Sequence, residues 1–190
     1  LDRLITDISR ASRLEAETAR GIENRVDLGK LLVEIAETYA VTGREEEAKV
    51  EFKGPPPPGA FVNGQEGPLG QVFRNLIDNA RSFTPPGGTV MVSLILMVRR
   101  DGRWLRALVE DQGPGIPTDN LETIFQRFYT ERPKGAAFGR NSGLGLSIAR
   151  QIVEAHRGKI WAENIAGPGT GDTKGARLIV ELPAAKEAQR

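Results

Sequence analysis

Two asparagines four residues apart, Asn75 and Asn79, open the question of what chemistry this chain can do. The stretch around them places apolar Leu69, Val72, Phe73, Leu76, Ile77 and Ala80 at the spacing of an amphipathic helix, so one face is committed to a core. The amides share another face. Paired amides can turn oxygens toward a hard cation and nitrogens toward phosphate, which suits a Mg²⁺ ion that keeps several waters and bridges a nucleotide. Taken alone, the pair also reads as two solvated or capping residues.

Asp111 follows the hydrophobic Ala107-Leu108-Val109 run and stands where a strand opens into Gln112-Gly113-Pro114-Gly115-Ile116. An ionised carboxylate only accepts hydrogen bonds, and adenine offers an exocyclic amine where guanine offers an oxygen. Gly113 and Gly115 lack a Cβ, which lets backbone approach a flat base. An ordinary acidic turn is the competing reading. Farther on, Gly143-Leu144-Gly145-Leu146 opens a helix, and glycines there expose backbone N–H groups and the positive dipole end to phosphate. It is no Walker A loop, because Gly-Lys-Ser/Thr is missing, and no dinucleotide fingerprint, because the third glycine and preceding strand are missing. Between the glycine clusters lie Phe125 and Phe128, which serve either as core or as the anchor of a lid over residues 129–142.

The elements that position these residues follow from pattern. Residues 1–20 carry Leu1, Leu4, Ile8 and Ala11 at heptad spacing, a helix stripe that needs a partner, with a boundary expected near residues 21–26. A helix begins after Asp27 and buries Leu28, Leu31, Leu32, Ile35 and Tyr39. Val50 and Phe52 read as an edge strand, stopped by Gly54 and four prolines. A short strand at 60–63 precedes the asparagine helix, 65–82. Strands at 89–99 and 103–110 flank Asp101-Gly102, a hairpin signal. A helix at 143–157 and strands at 159–163 and 176–182 complete the set. This is an α+β, two-layer sandwich of a mixed sheet on three helices, plus the N-terminal helix.

Composition narrows the function classes. With 26 Lys and Arg against 25 Asp and Glu, no global positive field recommends nucleic acid. The chain has no cysteine, which excludes disulfides and thiolate metal sites and fits a reducing compartment. No apolar run reaches the roughly 20 residues of a bilayer span. The chain opens on Leu1 and reads as a piece of a longer protein.

The four clusters in this order resemble the catalytic, ATP-binding domain of bacterial two-component sensor histidine kinases over residues 26–183. Asn75 to Asn79 match that family's N box, Asp111 to Gly115 its G1 box, Phe125 and Phe128 its F box, and Gly143 to Gly145 its G2 box. Residues 1–20, with Asp7-Ile8-Ser9 and Ser12-Arg13-Leu14, resemble the end of the second helix of the dimerisation and phosphoacceptor domain, with a linker to residue 25, and 184–190 is left as a loose tail. The resemblance implies a Bergerat ATP-binding fold, ATP and Mg²⁺ as ligands, Asn79 and Asn75 on the metal and phosphates, and Asp111 on the adenine amine. It also implies Phe83 and Ile116 against the base, with Gly113 and Gly115 in the same loop, and Gly143, Leu144, Gly145 and Leu146 on the phosphates. The implied partners are the dimerisation domain of the same parent protein and a response regulator. A cytoplasmic domain of an inner-membrane parent is implied, itself a monomer or weak dimer.

The sequence departs from the family pattern at Ser82, where Lys or Arg is frequent three residues after the second asparagine, and at Asn141, where a further glycine is common. Arg81 points elsewhere on a helix, so the cation must come from Arg140 or Lys134 or be missing. His156 is the single histidine and reads as a helix stop with Gly158, so no nucleophile or general base is nominated. A Bergerat-type ATPase, a related serine kinase and a degenerate signalling module are the rivals. Against the ATPase, the asparagine helix has no Glu after Glu66.

Overall fold

The computed structural model describes residues 24–43, 47–129, 143–169 and 172–186. Its elements are β1 (Asn24–Asp27), α1 (Leu28–Thr42), β2 (Lys49–Phe52), β3 (Phe61–Gly64), α2 (Glu66–Phe83), β4 (Thr89–Arg99), β5 (Gly102–Glu110), α3 (Gly145–Ala155), β6 (Lys159–Ala166) and β7 (Thr173–Pro183), with 3-10 turns at Thr118–Asn120 and Thr123–Phe125. Five strands form a mixed sheet in the order β2-β4-β5-β7-β6. β2 runs parallel to β4, and the other pairs are antiparallel. β1 and β3 make a separate antiparallel pair.

Alternation along the strands decides which face the helices cover. Val92, Val109, Leu178 and Ala162 stand in register across four strands, and Leu94, Ala107, Val180 and Ile160 form the next row. All are buried in one cluster with Leu32 of α1, Phe73, Leu76 and Ile77 of α2, and Ile148 and Val153 of α3. Period-two strands thus meet period-3.6 helices in a single layer of side chains. The two-layer sandwich on three helices is the fold observed. The opposite sheet face carries polar pairs instead, including Arg106 beside Glu181 and Glu110 beside Arg177.

Local chemistry explains most boundaries. Asp27 caps α1, its Oδ1 accepting from the Lys30 N–H at 2.9 Å, which satisfies an orphan donor of the first turn. α3 is shorter than the expected 143–157. Gly143 has a φ of +71° and Arg157 one of +58°, so neither belongs to a right-handed helix. Gly158 serves close approach rather than the left-handed turn: a Cβ there would lie 2.4 Å from the Glu181 carbonyl oxygen. β6 and β7 run longer than expected, to Ala166 and from Thr173. Short, polar β1 was absent from the sequence reading. The sheet's hydrogen bonding also reaches past residue 183: Ala184 bridges to Val62, and the buried Ala185 donates to the Phe61 carbonyl at 2.6 Å. The expected N-terminal helix over residues 1–20 and the segment 130–142 lie outside the described residues.

Candidate functional site

α2 links two clusters. At one end of the pair of asparagines, Asn75 Nδ2 donates to the Gly145 carbonyl at 2.9 Å. A Cβ on Gly145 would already be in contact with Asn75, at 3.6 Å. This ties α2 to the start of α3 and leaves Asn75 Oδ1 for another partner. The Asn79 side chain takes no hydrogen-bond partner among the described residues, while its carbonyl accepts from Ser82 Oγ at 2.7 Å. Among the described residues no side chain caps the start of α3, which leaves its first-turn N–H groups for another partner. Leu144 is buried and Leu146 is packed against the core, which fixes the backbone between them.

At the other end, α2 closes on the Asp111 loop. A Cβ on Gly113 would lie 2.8 Å from the Phe83 carbonyl oxygen and 3.0 Å from Asp111 Oδ1, so only glycine lets the loop lie against the helix end. Thr84 fastens the junction: its Oγ1 bonds the Ala80 carbonyl at 2.9 Å and accepts from the Gln112 N–H at 3.3 Å. Gln112 Oε1 in turn accepts from the Thr89 N–H at 2.9 Å.

Asp111 is 6% exposed. Its Oδ1 accepts from the Gly113 N–H at 2.8 Å and the Ala176 N–H at 3.0 Å. Oδ2 has no partner among the described residues, yet no side-chain polar atom sealed from solvent is left unsatisfied. Oδ2 therefore keeps an opening. Burial pushes the carboxyl above its ordinary range, and the Ala176 and Gly113 N–H groups offset only part of this. A buried acid whose second oxygen faces an opening is arranged to accept a hydrogen bond from something outside the protein.

Ile116 packs against the core, and Asn164 holds its main chain on both sides. Phe125 is buried beneath the Arg150 guanidinium, 5.0 Å from the ring centroid. Phe128 is 58% exposed, with a φ of +64°. Its N–H bonds the Gly143 carbonyl at 3.0 Å, so the two ends of the 129–142 span meet at one hydrogen bond.

The structure thus gathers Asn75, Gly145 and Leu144 at the middle of α2, and Phe83, Asp111 and Gly113 at its C-terminal end. Gly115 and Ile116 complete the same loop. Arg140 and Lys134 lie outside the described residues, as does Asn141. Arg81 is spent elsewhere, bonding Glu47 at 2.5 Å and the Ala48 carbonyl at 3.2 Å. Thr84, Gln112, Asn164 and Ala176 were missed from sequence. Thr84, a hydroxyl at a helix end before proline, was the one legible signal among them. His156 closes α3 in an unforeseen way. Nδ1 lies 2.7 Å from the Ile152 carbonyl and Nε2 accepts from the Gln65 N–H at 3.3 Å, so it also joins α3 to the start of α2.

A mixed sheet with three helices on one face, and a buried acid beside the end of α2, define the class of the domain as an α+β two-layer sandwich. The family described as histidine kinase-, DNA gyrase B- and HSP90-like ATPase matches residues 64–186, and the chain belongs to it. The sensor protein ChvG of Rhizobium meliloti (strain 1021) is 48% identical over 97% of this chain and 32% of its own length. The sensor histidine kinase WalK of Bacillus subtilis (strain 168) is 32% identical over 88% of this chain and 27% of its own. Among solved structures, a mycobacterial sensor histidine kinase, MprB, superposes with a TM-score of 0.66 at 28% identity, over 85% of this chain and 97% of that one. Full-length ShkA in complex with AMPPNP gives 0.75 at 27% identity, over 98% of this chain and 36% of that one. The chain spans between about a quarter and a third of the length of the curated relatives WalK and ChvG.

Proposed function

We propose that this chain is the ATP-binding catalytic part of a sensor histidine kinase, with the nucleotide-binding domain over residues 26–183 and residues 1–25 leading from a dimerisation and phosphoacceptor domain. The observation that carries the reading is Asp111, buried, held by two backbone N–H groups on one oxygen and open on the other. That oxygen accepts the adenine amine, with Phe83, Gly113, Gly115 and Ile116 around the base. Asn75 and Phe83 are eight positions apart on α2, about 12 Å of helix rise. This matches the scale of an extended nucleoside triphosphate, so the phosphates reach Asn75, Asn79 and the start of α3.

The donor set fits Mg²⁺. The described residues contain no group of three or more His, Cys, Asp or Glu able to hold a metal, and neutral amides suit an ion carried mainly by water and phosphate. Asn79, with Asn75 Oδ1, would hold it, and it would neutralise charge on the phosphates. The N–H groups of Gly143 to Leu146 do the same at the dipole end of α3, joined by Arg140. Transfer consists of a histidine nitrogen forming a bond to the γ-phosphorus as the bond to the bridging oxygen breaks and ADP leaves. Positioning and charge neutralisation supply most of the acceleration.

His156 is not that acceptor, because both ring nitrogens are engaged within the fold. The histidine therefore belongs to a dimerisation domain of the parent protein, from which a response regulator would take the phosphoryl group. Placement of the parent in the bacterial inner membrane, with this domain in the cytoplasm, belongs to the same proposal. The test is to mix the chain with γ-labelled ATP, Mg²⁺ and the parent's histidine-bearing domain. Acid-labile, base-stable label on that domain is the expected result. Label released only as free phosphate, or fixed on serine, would overturn it.

A further inference from the structure

One rung of the sheet grips both ends of the loop from Asp111 to Ile116. Asn164 of β6 stands opposite Ala176 of β7. The Ala176 main chain holds the first residue of the loop: its N–H donates to Asp111 Oδ1 at 3.0 Å, and its carbonyl accepts from the Asp111 N–H at 2.9 Å. The Asn164 side chain holds the last residue. Oδ1 accepts from the Ile116 N–H at 2.8 Å, and Nδ2 donates to the Ile116 carbonyl at 2.7 Å. A carboxamide carries the same donor and acceptor as a peptide, so Asn164 pairs with Ile116 as a neighbouring strand would.

The surroundings show that this contact is built into the fold. Gly115 has a φ of +83°, and a Cβ there would lie 2.9 Å from Asn164 Oδ1 and 2.4 Å from Thr173 Cγ2. The β6–β7 register shifts immediately after Asn164, which frees this side chain to turn toward the loop. Asparagine is depleted in strands, and the double bond to Ile116 is a reason for one here. Between the two grips lie Gly113 and Gly115, the residues with most backbone freedom. Without Asn164, Asp111 stays fixed on Ala176 while the Ile116 main chain loses both of its bonds to β6 and is held only by the packing of its side chain.

We propose that Asn164 is a positioning residue for purine recognition, setting the gap between Ile116 and Asp111 and with it the preference for adenine over guanine. This rests on the ATP reading above and adds to it a determinant of base selectivity. The full 190-residue chain and its Asn164→Ala variant are titrated with ATP, with and without Mg²⁺, and ATP is competed with GTP, all below both melting temperatures. The variant should bind ATP about tenfold more weakly, lose part of its ATP-over-GTP preference, and keep the factor by which Mg²⁺ strengthens binding.

Asn164→Asp keeps the acceptor for the Ile116 N–H but turns the donor into an acceptor facing a carbonyl. It should lose affinity as the alanine variant does despite nearly equal size, and it carries the same comparison if the alanine variant does not fold. Unchanged ATP affinity overturns the proposal, as does a loss that leaves the ATP-to-GTP ratio intact or takes the Mg²⁺ factor with it. Should Asp111→Asn also leave ATP binding intact, the base reading itself fails. Should only the Asn164 variants be silent, the reading stands and the positioning role falls.

Discussion

Asp111 and Glu181 are the two buried carboxylates among the described residues, 6% and 3% exposed, and their environments drive them in opposite directions. Glu181 lies on the outer sheet face between two guanidiniums. Arg99 reaches it at 2.7 and 3.1 Å, and Arg106 at 2.8 Å from Nε. Burial alone would raise this carboxyl, but the two arginines outweigh it and hold it below its ordinary range. Asp111 has two backbone N–H groups and, among the described residues, no cation, so burial prevails and its carboxyl rises. The fold supplies countercharge where an acid ties strands together and leaves it out where an acid faces an opening. A carboxylate left under-satisfied at that cost is one held ready for a ligand.

The sharpest way to break this contrast is Asp111→Asn. The amide oxygen can still accept from Gly113 and Ala176, but an NH₂ now faces the adenine amine, donor against donor. Loss of a hydrogen bond to a charged group predicts ATP binding about a hundredfold weaker, measured by calorimetry. The melting temperature should not fall and is expected to rise, because the ionised acid is a standing cost in the folded state. A variant that loses stability and keeps its ATP affinity would mean that Asp111 is an ordinary structural acid.

Glu181→Gln should do the reverse. Breaking a buried ion pair costs roughly 3–5 kcal/mol, but the Arg99 and Arg106 side chains are 38% and 32% exposed. Solvent screening therefore reduces the expected loss to about 2 kcal/mol. For a domain of this size that is a melting point lower by about 4–8 °C, with ATP affinity unchanged. Equal effects of this variant on binding and stability would erase the division between the two faces.

The same two groups should give opposite signs in pH dependence. Asp111 has a raised value in the folded state, so folding takes up protons, and its contribution to stability is lost as pH rises from the ordinary carboxylate range through that raised value. Glu181 has a depressed value, so its contribution is present above the ordinary range and lost as pH falls through the folded-state value. Denaturant midpoints followed downward from neutral pH should show the advantage of Asp111→Asn and the deficit of Glu181→Gln both shrinking in acid. A deficit for Glu181→Gln that persisted in acid would point to packing instead of charge.

Much of this was legible in the sequence, and the exceptions share a cause. Period-3.6 spacing from Leu69 to Ala80 and alternation from Val90 to Leu96 disclosed α2 and β4, because the core imposes those periods on neighbours in the chain. Asp111 was visible at a strand end between apolar residues and glycines. The Asn164 grip on Ile116 spans 48 positions, and no local period encodes such a contact. β1 was invisible for a related reason: four residues with a single buried side chain, Val26, show no alternation until β3 pairs with them. At Arg157-Gly158 the obvious assumption, glycine for the left-handed turn, was displaced because β7 passes too close to Gly158 for any side chain.

The cation end extends the contrast, since the Asn79 side chain also has no partner among the described residues where Asn75 is tied to Gly145. Asn79→Ala should weaken ATP binding about tenfold when Mg²⁺ is present and leave Mg²⁺-free binding nearly unchanged. Equal losses in both conditions would assign Asn79 to the phosphates alone.

Ser82 offers the smallest and most selective change. It is exposed, and its hydroxyl bonds back to the Asn79 carbonyl, so it brings no charge to the face it shares with Asn79, three positions earlier. Arg81 cannot substitute while it is held by Glu47 and the Ala48 carbonyl. Placing a cation there with Ser82→Arg should therefore strengthen ATP binding about threefold at low ionic strength, within the worth of one exposed charge. The gain should fade as salt screens it, whereas the Asp111 effect, set in a buried position, should persist. A neutral outcome at low salt would mean that this end of the site is already neutralised, with Arg140 the first residue to substitute next.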